Sequence, residues 1–494
     1  MKKAIVMGSG FGGLASAVRL LKKGYDVTIL EARDQLGGRA SVFKKDGYTF
    51  DAGPTVITAP YLINELFEML GENPKEFFEL LPIDPFYRII FNDRSVFDYV
   101  GDEDRLIENI RALNPQDVDG YRKLAKHAEE IFDVGYTQLA DHPFDTLGSM
   151  ARVIPEMIRL QNHKSVYALV SKYIKDERLR QAFSFEPLLV GGNPTKITSI
   201  YLLIHWLERK WGVHFIKGGT NELVRAFEKL LIKHGAKILK NKPVQRIDVK
   251  NGQVQGVITT DETYYPCEVL VSNADPVRVY RDMIDPAERS ANANWKLKLK
   301  SQSMSLFVAY FGTKKQFPDI KHHTILMGPR YQGLLDDIFS KKVLPQDFSL
   351  YLHAPTRTDA SMAPTGKECF YVLAPVPNNQ SGINWKHEQN QFKDRVYNWL
   401  DKNYLPGMIE NLDVDLHITP DYFEKELRSE HGAAFGIEPS LSQSAYFRFH
   451  NRSKDVAGLY FVGANTHPGA GVPGVLSSAK VIEKVVPAAG LVMA

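Results

Sequence analysis

Ala4-Ile5-Val6-Met7-Gly8-Ser9-Gly10-Phe11-Gly12-Gly13-Leu14 runs from a short apolar segment through a glycine turn into residues at helical spacing, Leu14, Ala17, Val18 and Leu21. A second apolar run, Val27 to Leu30, ends on Glu31 and Ala32. The pattern predicts a strand, a turn, a helix and a second strand closed by an acid. Gly8 permits the tight turn, Gly10 lets backbone approach a pyrophosphate, and Gly13 lets helix and strand pack closely. The helix opening at Phe11 and Gly12 turns its N-terminal amides toward an anion. Glu31 stands 18 residues after Gly13, the distance at which an acid holds ribose hydroxyls. The stretch reads as a dinucleotide site.

The next segment narrows the dinucleotide. Gly37-Gly38-Arg39 comes just after the acid, then Asp51-Ala52-Gly53-Pro54-Thr55. An NAD site has no need of a second glycine pair with an arginine, and the segment resembles the extended FAD signature of amine-oxidase-like flavoproteins. That resemblance places Gly38, Pro54 and Thr55 around the cofactor, with Arg39 as a countercharge to the pyrophosphate. With one complete fingerprint in the chain, nothing points to a built-in NAD site.

At 494 residues the chain is too long for one core and suits two or three subdomains. The 61 basic residues nearly balance 58 acidic ones without a basic run, which gives no case for nucleic acid. Cys267 and Cys369 stand apart from any metal or disulfide pattern, so a reducing compartment is favoured and no metal site is expected. No apolar stretch approaches the ~18 residues that span a bilayer, and Val485 to Ala494 reads as no membrane tail. A cytoplasmic protein that spans nothing is expected.

Along the chain, residues 61–70 and 105–132 read as helix, with an aromatic hairpin at 86–99 between them. Residues 151–180 carry seven basic residues against three acids, with apolar residues at helix spacing between them. Such a basic amphipathic stretch lies either in a membrane interface or with its apolar face on the protein core. Residues 223–259 read as helix, strand and an Asn251-Gly252 hairpin, leading to strand Val269-Leu270-Val271 and Asn273. In flavoproteins of this kind that succession builds the adenine side, with the backbone of Val244 facing the adenine. Strands at 304–311, 348–353 and 369–376 and a helix at 392–405 suggest a mixed sheet. The last motif, Gly463 to Gly471-Val472-Pro473-Gly474-Val475, is a second strand, glycine turn and helix.

With these residues in place, the chain resembles the bacterial phytoene desaturase family of carotenoid biosynthesis. The resemblance runs nearly end to end, through residues 51–58, 181–194, 211–220, 348–355, 371–377 and 463–475. It implies an α/β fold with a Rossmann-like FAD-binding domain built from residues 1–60, 213–280 and 455–494. A mixed-sheet substrate domain, 61–100 with 281–454, and a helical, membrane-associating part, 101–212, complete it. FAD, a phytoene substrate drawn from the inner face of the cell membrane, oxygen or a quinone as electron acceptor, and room for a homo-oligomer come with the same likeness. So does a product of lycopene or neurosporene, by hydride transfer to the flavin. Desaturation of the shorter C30 precursor or another carotenoid oxidase or isomerase, an amine or porphyrinogen oxidase, and a non-catalytic lipid escort on the same scaffold are the competing readings. Glu208, on an apolar helix before Trp211, is the candidate base, against a surface or ion-paired role.

Overall fold

In the computed structural model, which describes residues 1–490, strand Lys3–Met7 is the centre of a five-stranded sheet. The order is Leu459–Phe461, Val269–Ser272, Lys3–Met7, Asp26–Leu30, Lys237–Leu239, and every pairing is parallel. Helices Phe11–Lys22 and Val472–Val485 pack on each other beside it. Parallel strands covered on both faces are continuously apolar, as Ala4 to Met7 and Val269 to Val271 are. The first helix starts hard against its own strand. A Cβ at Gly13 would lie 2.1 Å from the Gly8 carbonyl oxygen, so only glycine fits there. The next strand in sequence lies on one side of Lys3–Met7 and Val269–Ser272 on the other. The crevice at the carboxyl end of such a reversal is where open α/β sheets take ligands.

The second sheet has seven strands, in order Leu412–Ile418, Ser305–Thr313, Glu368–Val376, Leu350–His353, His323–Leu326, Tyr87–Ile90, Val96–Tyr99. Only the pairing of His323–Leu326 with Tyr87–Ile90 is parallel, so the sheet is mixed. Its long strand Ser305–Thr313 is buried throughout, and its alternation explains why. Phe307, Ala309 and Phe311 pack beneath helix Trp385–Asn403, while Leu306, Val308 and Tyr310 face a cavity on the other side. His323–Leu326 and Leu412–Ile418 were not legible as strands, the first for its brevity and the second for its alternating acids.

The helical region departs from expectation in two places. The helix expected over 105–132 is two, Glu103–Leu113 and Val118–Phe132, because Pro115 lacks the amide that would continue the first. Residues 151–180 belong to three helices, Leu147–Arg159, Val166–Tyr173 and Glu177–Ala182. The second of these buries Val166, Leu169 and Val170. The first does not: Leu147 and Ile158 are 65% and 64% exposed and Ile154 45%, so its apolar face lies outward. The reading of Val485 to Ala494 as a non-spanning tail falls partly outside the described residues. Among those described, no helix is long and apolar enough to cross a membrane.

Candidate active site

Between the two sheets runs one cavity of about 530 Å³. Of the residues expected from sequence to touch a dinucleotide, all line it except Gly12 and Gly13, which are buried behind its wall. Three distant segments meet at Asn273. A Cβ at Gly10, Gly12 or Gly463 would stand 2.5, 2.6 or 2.7 Å from its amide group, so the first and last glycine turns close on one side chain.

Glu31 is 6% exposed and already committed on both oxygens. Its Oε2 accepts from the Ser9 amide at 2.9 Å and from the Ser9 hydroxyl, and its Oε1 accepts from the Arg33 amide at 3.0 Å. A carboxylate has about four acceptor positions, so one on Oε1 is left for a ribose hydroxyl. Arg39 has the opposite condition. Its one hydrogen bond goes to the Ser429 hydroxyl at 3.1 Å, its Nε is buried without a partner, and no carboxylate pairs with it among the described residues. Burial pulls its pKa down, a cost that a bound diphosphate removes. Asp51 joins this wall to the start of helix Thr220–Lys233 by accepting the Thr220 amide at 2.8 Å, and burial raises its carboxyl to about 7. These residues fit a dinucleotide whose diphosphate meets Arg39 and the glycine turns.

The far end of the cavity is apolar, walled by Leu188, Leu189, Leu203, Ile204, Leu306 and Val308. Glu208 lies in this wall on helix Leu203–Trp211 and is 1% exposed, neither at the surface nor ion-paired. Tyr87 donates to its Oε1 at 2.6 Å, and its Oε2 has no partner among the described residues. Glu186 is beside it, also 1% exposed, with His205 Nδ1 3.7 Å away. Burial pushes both carboxyls up; the Glu208 charge pushes Glu186 further, while the Tyr87 hydroxyl partly offsets the effect on Glu208. The His205 ring is held by the hydroxyls of Tyr99 and Tyr121 and kept neutral, its pKa lowered to about 3 by burial. Nearby, Thr55 shares hydrogen bonds with Tyr351 at 3.0 Å and Tyr371 at 2.6 Å, fixing both phenols on the wall. Sequence reasoning singled out neither Tyr87, the two phenols nor Glu186. For Glu186 the signal was there, a lone acid in the apolar run Phe183 to Val190.

The family model for flavin containing amine oxidoreductases matches residues 11–481. The chain belongs to that family. Its cofactor is therefore FAD, which the cavity's dinucleotide wall fits, and it is an oxidoreductase. Two family relatives are similar over nearly their whole length. A lycopene-forming phytoene desaturase of Pantoea ananas is 46% identical over 481 residues, 97% of this chain and 98% of that protein. A neurosporene-forming phytoene desaturase of Rhodobacter capsulatus is 40% identical, covering 99% and 94%. Among solved structures, an oxidoreductase of Methanosarcina mazei superposes with a TM-score of 0.68 at 15% identity, over 98% of this chain and 100% of that one. At that identity the likeness is one of fold.

Arg39 is the test of the family's cofactor wall in this chain. Arg39→Ala removes a charge-assisted contact of about 1.5–3 kcal/mol, so FAD should bind roughly 10- to 100-fold more weakly. Equilibrium dialysis of the folded variant measures this, and undiminished flavin affinity would show that Arg39 does not meet the diphosphate.

Proposed function

We propose that this flavoenzyme desaturates phytoene in successive rounds to lycopene, stopping at neurosporene if the last round is omitted. The observation that carries the proposal is the continuity of the cavity: the wall with Arg39 and the glycine turns leads directly into an apolar one interrupted by Glu208. A hydrocarbon offers nothing to hydrogen-bond, so apolar walls and placement suffice to bind it. Phytoene, named for both relatives, is such a hydrocarbon.

When bound, FAD supplies a two-electron acceptor for hydride. The chain's own residues do the rest. Leucine and valine side chains exclude water and hold the polyene extended. Glu208 takes the accompanying proton at Oε2, the oxygen that Tyr87 leaves free, while Tyr87 fixes the carboxylate by its bond to Oε1. A C–H pair lost as hydride and proton leaves one new C=C bond. Oxygen or a membrane quinone takes the electrons onward, and supplying each separately to the anaerobic enzyme distinguishes them. In this reading residues 1–60, 213–280 and 455–494 form the FAD domain, 61–100 with 281–454 the substrate domain, and 101–212 the part that meets lipid.

The substrate lives in a bilayer, and helix Leu147–Arg159 supplies the contact. Its exposed Leu147, Ile154 and Ile158 share one face, with Arg152 on the polar side of the helix, and suit an interfacial helix on the inner face of the cell membrane. The exposed Phe447 belongs to a neighbouring turn. Ile154→Asp with Ile158→Asp should cut co-sedimentation with anionic liposomes about tenfold or more, since each buried side chain contributes about 1.5–3 kcal/mol. A folded double variant that sediments like the parent sinks this assignment.

Expressed in a bacterium that makes phytoene but no coloured carotenoid, the protein should give a red lipid extract with lycopene bands. Phytoene left unchanged beside folded, FAD-loaded protein overturns the substrate. Phytoene has no titratable group, so a pH limb in kcat/KM belongs to the holoenzyme. Glu208 is a base only when ionised, and its raised pKa puts that limb at neutral to alkaline pH, with rate rising as pH rises. Glu208→Gln should cost about 10²- to 10⁴-fold in kcat and abolish the limb. A variant retaining both rate and pH profile excludes Glu208 as the base.

A further inference from the structure

Further along the strands that carry Ile325 and Tyr351, and outside the lining of the cavity, lie three buried imidazoles that the proposed desaturation does not use. His322, His323 and His353 are 4%, 0% and 1% exposed. His323 and His353 face each other across adjacent strands, and His322 immediately precedes the first of these. One ring nitrogen from each lies within 4.8 Å of the other two. The hydrogen bonds among them are too few for three buried rings. His322 Nδ1 is bonded to the Thr358 hydroxyl at 2.6 Å and His323 Nδ1 to the Tyr351 hydroxyl at 2.6 Å. His322 and His353 meet through Nε2 atoms 3.1 Å apart. His323 Nε2 and His353 Nδ1 are buried with no partner among the described residues. An unsatisfied buried polar atom costs about 1–3 kcal/mol, and two in one cluster call for a reason.

From this geometry we infer that His322, His323 and His353 bind a single divalent transition-metal ion of the zinc class. Ligands about 2.0–2.1 Å from a tetrahedral ion stand roughly 3.3 Å apart, close to the separation of the His322 and His353 nitrogens. His323 contributes Nε2, its unpartnered atom. His353 has a free nitrogen in either tautomer, so its ring can serve without losing a bond other than the one to His322. The hydroxyls of Thr358 and Tyr351 brace two of the rings at Nδ1, as outer partners of ligating histidines do. Neutral imidazoles without a carboxylate or thiolate select zinc, cobalt, nickel or copper over magnesium or calcium. Thr358 is only partly buried, which leaves the ion a short way in.

Such an ion reaches the cavity without entering it. Metal on Nε2 fixes the His323 proton on Nδ1, which then donates to the Tyr351 oxygen. The Tyr351 hydroxyl is thereby turned toward Thr55, on the wall that the cofactor shares. The ion clasps two strands of the mixed sheet and sets the direction of that hydrogen-bond chain.

The test uses full-length, tag-free, FAD-loaded protein, stripped with a chelator and titrated with Co²⁺ and then Zn²⁺. One equivalent of Co²⁺ should bind with visible d–d absorption to the red of the flavin bands, be displaced by Zn²⁺, and the zinc form should melt at a higher temperature. His323→Ala should weaken binding at least about tenfold, and Tyr351→Phe, which removes only a brace, about 10- to 100-fold at most. His353→Gln serves as the second ligand variant if the first does not fold. A wild-type protein that shows no cobalt spectrum, or folded ligand variants that bind as it does, overturns the site.

Discussion

Everything in this structure depends on how closely two glycine turns approach one side chain, that of Asn273. With side chains at Gly10, Gly12 or Gly463, its amide would be displaced, since each Cβ would stand within 2.7 Å of it. Three segments more than 180 residues apart are thus drawn together at the carboxyl ends of parallel strands. The crevice for the cofactor opens there because the strand order reverses at Lys3–Met7. The same closeness explains why Gly13 tolerates nothing larger. The helix after the turn must begin in contact with the Gly8 carbonyl if its N-terminus is to face the crevice at all.

Once that crevice is set, the second sheet decides what it opens onto. Strand Ser305–Thr313 sends alternate side chains to helix Trp385–Asn403 and to the cavity, so a single strand builds both a hydrophobic core and a wall of the cavity. The polar groups left in this wall are few, and their unfinished bonding is informative. Among the described residues, Arg39 Nε and Glu208 Oε2 are buried with nothing to bond. Burying polar atoms in this state is costly in a protein that only folds, and it is useful in one that receives a diphosphate at one end and a proton at the other.

The glycine turns were readable because their constraints are local. Tight turns, left-handed backbone and close packing require glycine at set spacings, and spacing is what a sequence displays. Gly471 to Val475 were read by the same logic of strand, turn and helix, whereas Val244 was placed by likeness to flavoproteins of this kind. The chemistry at the apolar end was not readable in this way. Tyr87 and Glu208 are 121 residues apart, and nothing along the chain announces that one donates to the other. His322, His323 and His353 show no ligand spacing, since the pleat of two paired strands gathers them. Periodicity identified the amphipathic stretch 151–180 but not which of its helices would lie on the core. Burial settled that, sending Val166 and Leu169 inward and leaving Ile154 and Ile158 outside.

If one cavity brings flavin and polyene together, electrons leave a hydrocarbon C–H bond directly. Anaerobic mixing of the FAD-loaded protein with phytoene in liposomes, monitored by absorption, tests it most directly. The expected result is bleaching of the oxidised flavin bands in step with growth of a longer polyene chromophore, one new double bond for each flavin reduced. Flavin that stays oxidised while the chromophore grows, or that stays oxidised with phytoene bound and unchanged, would contradict it.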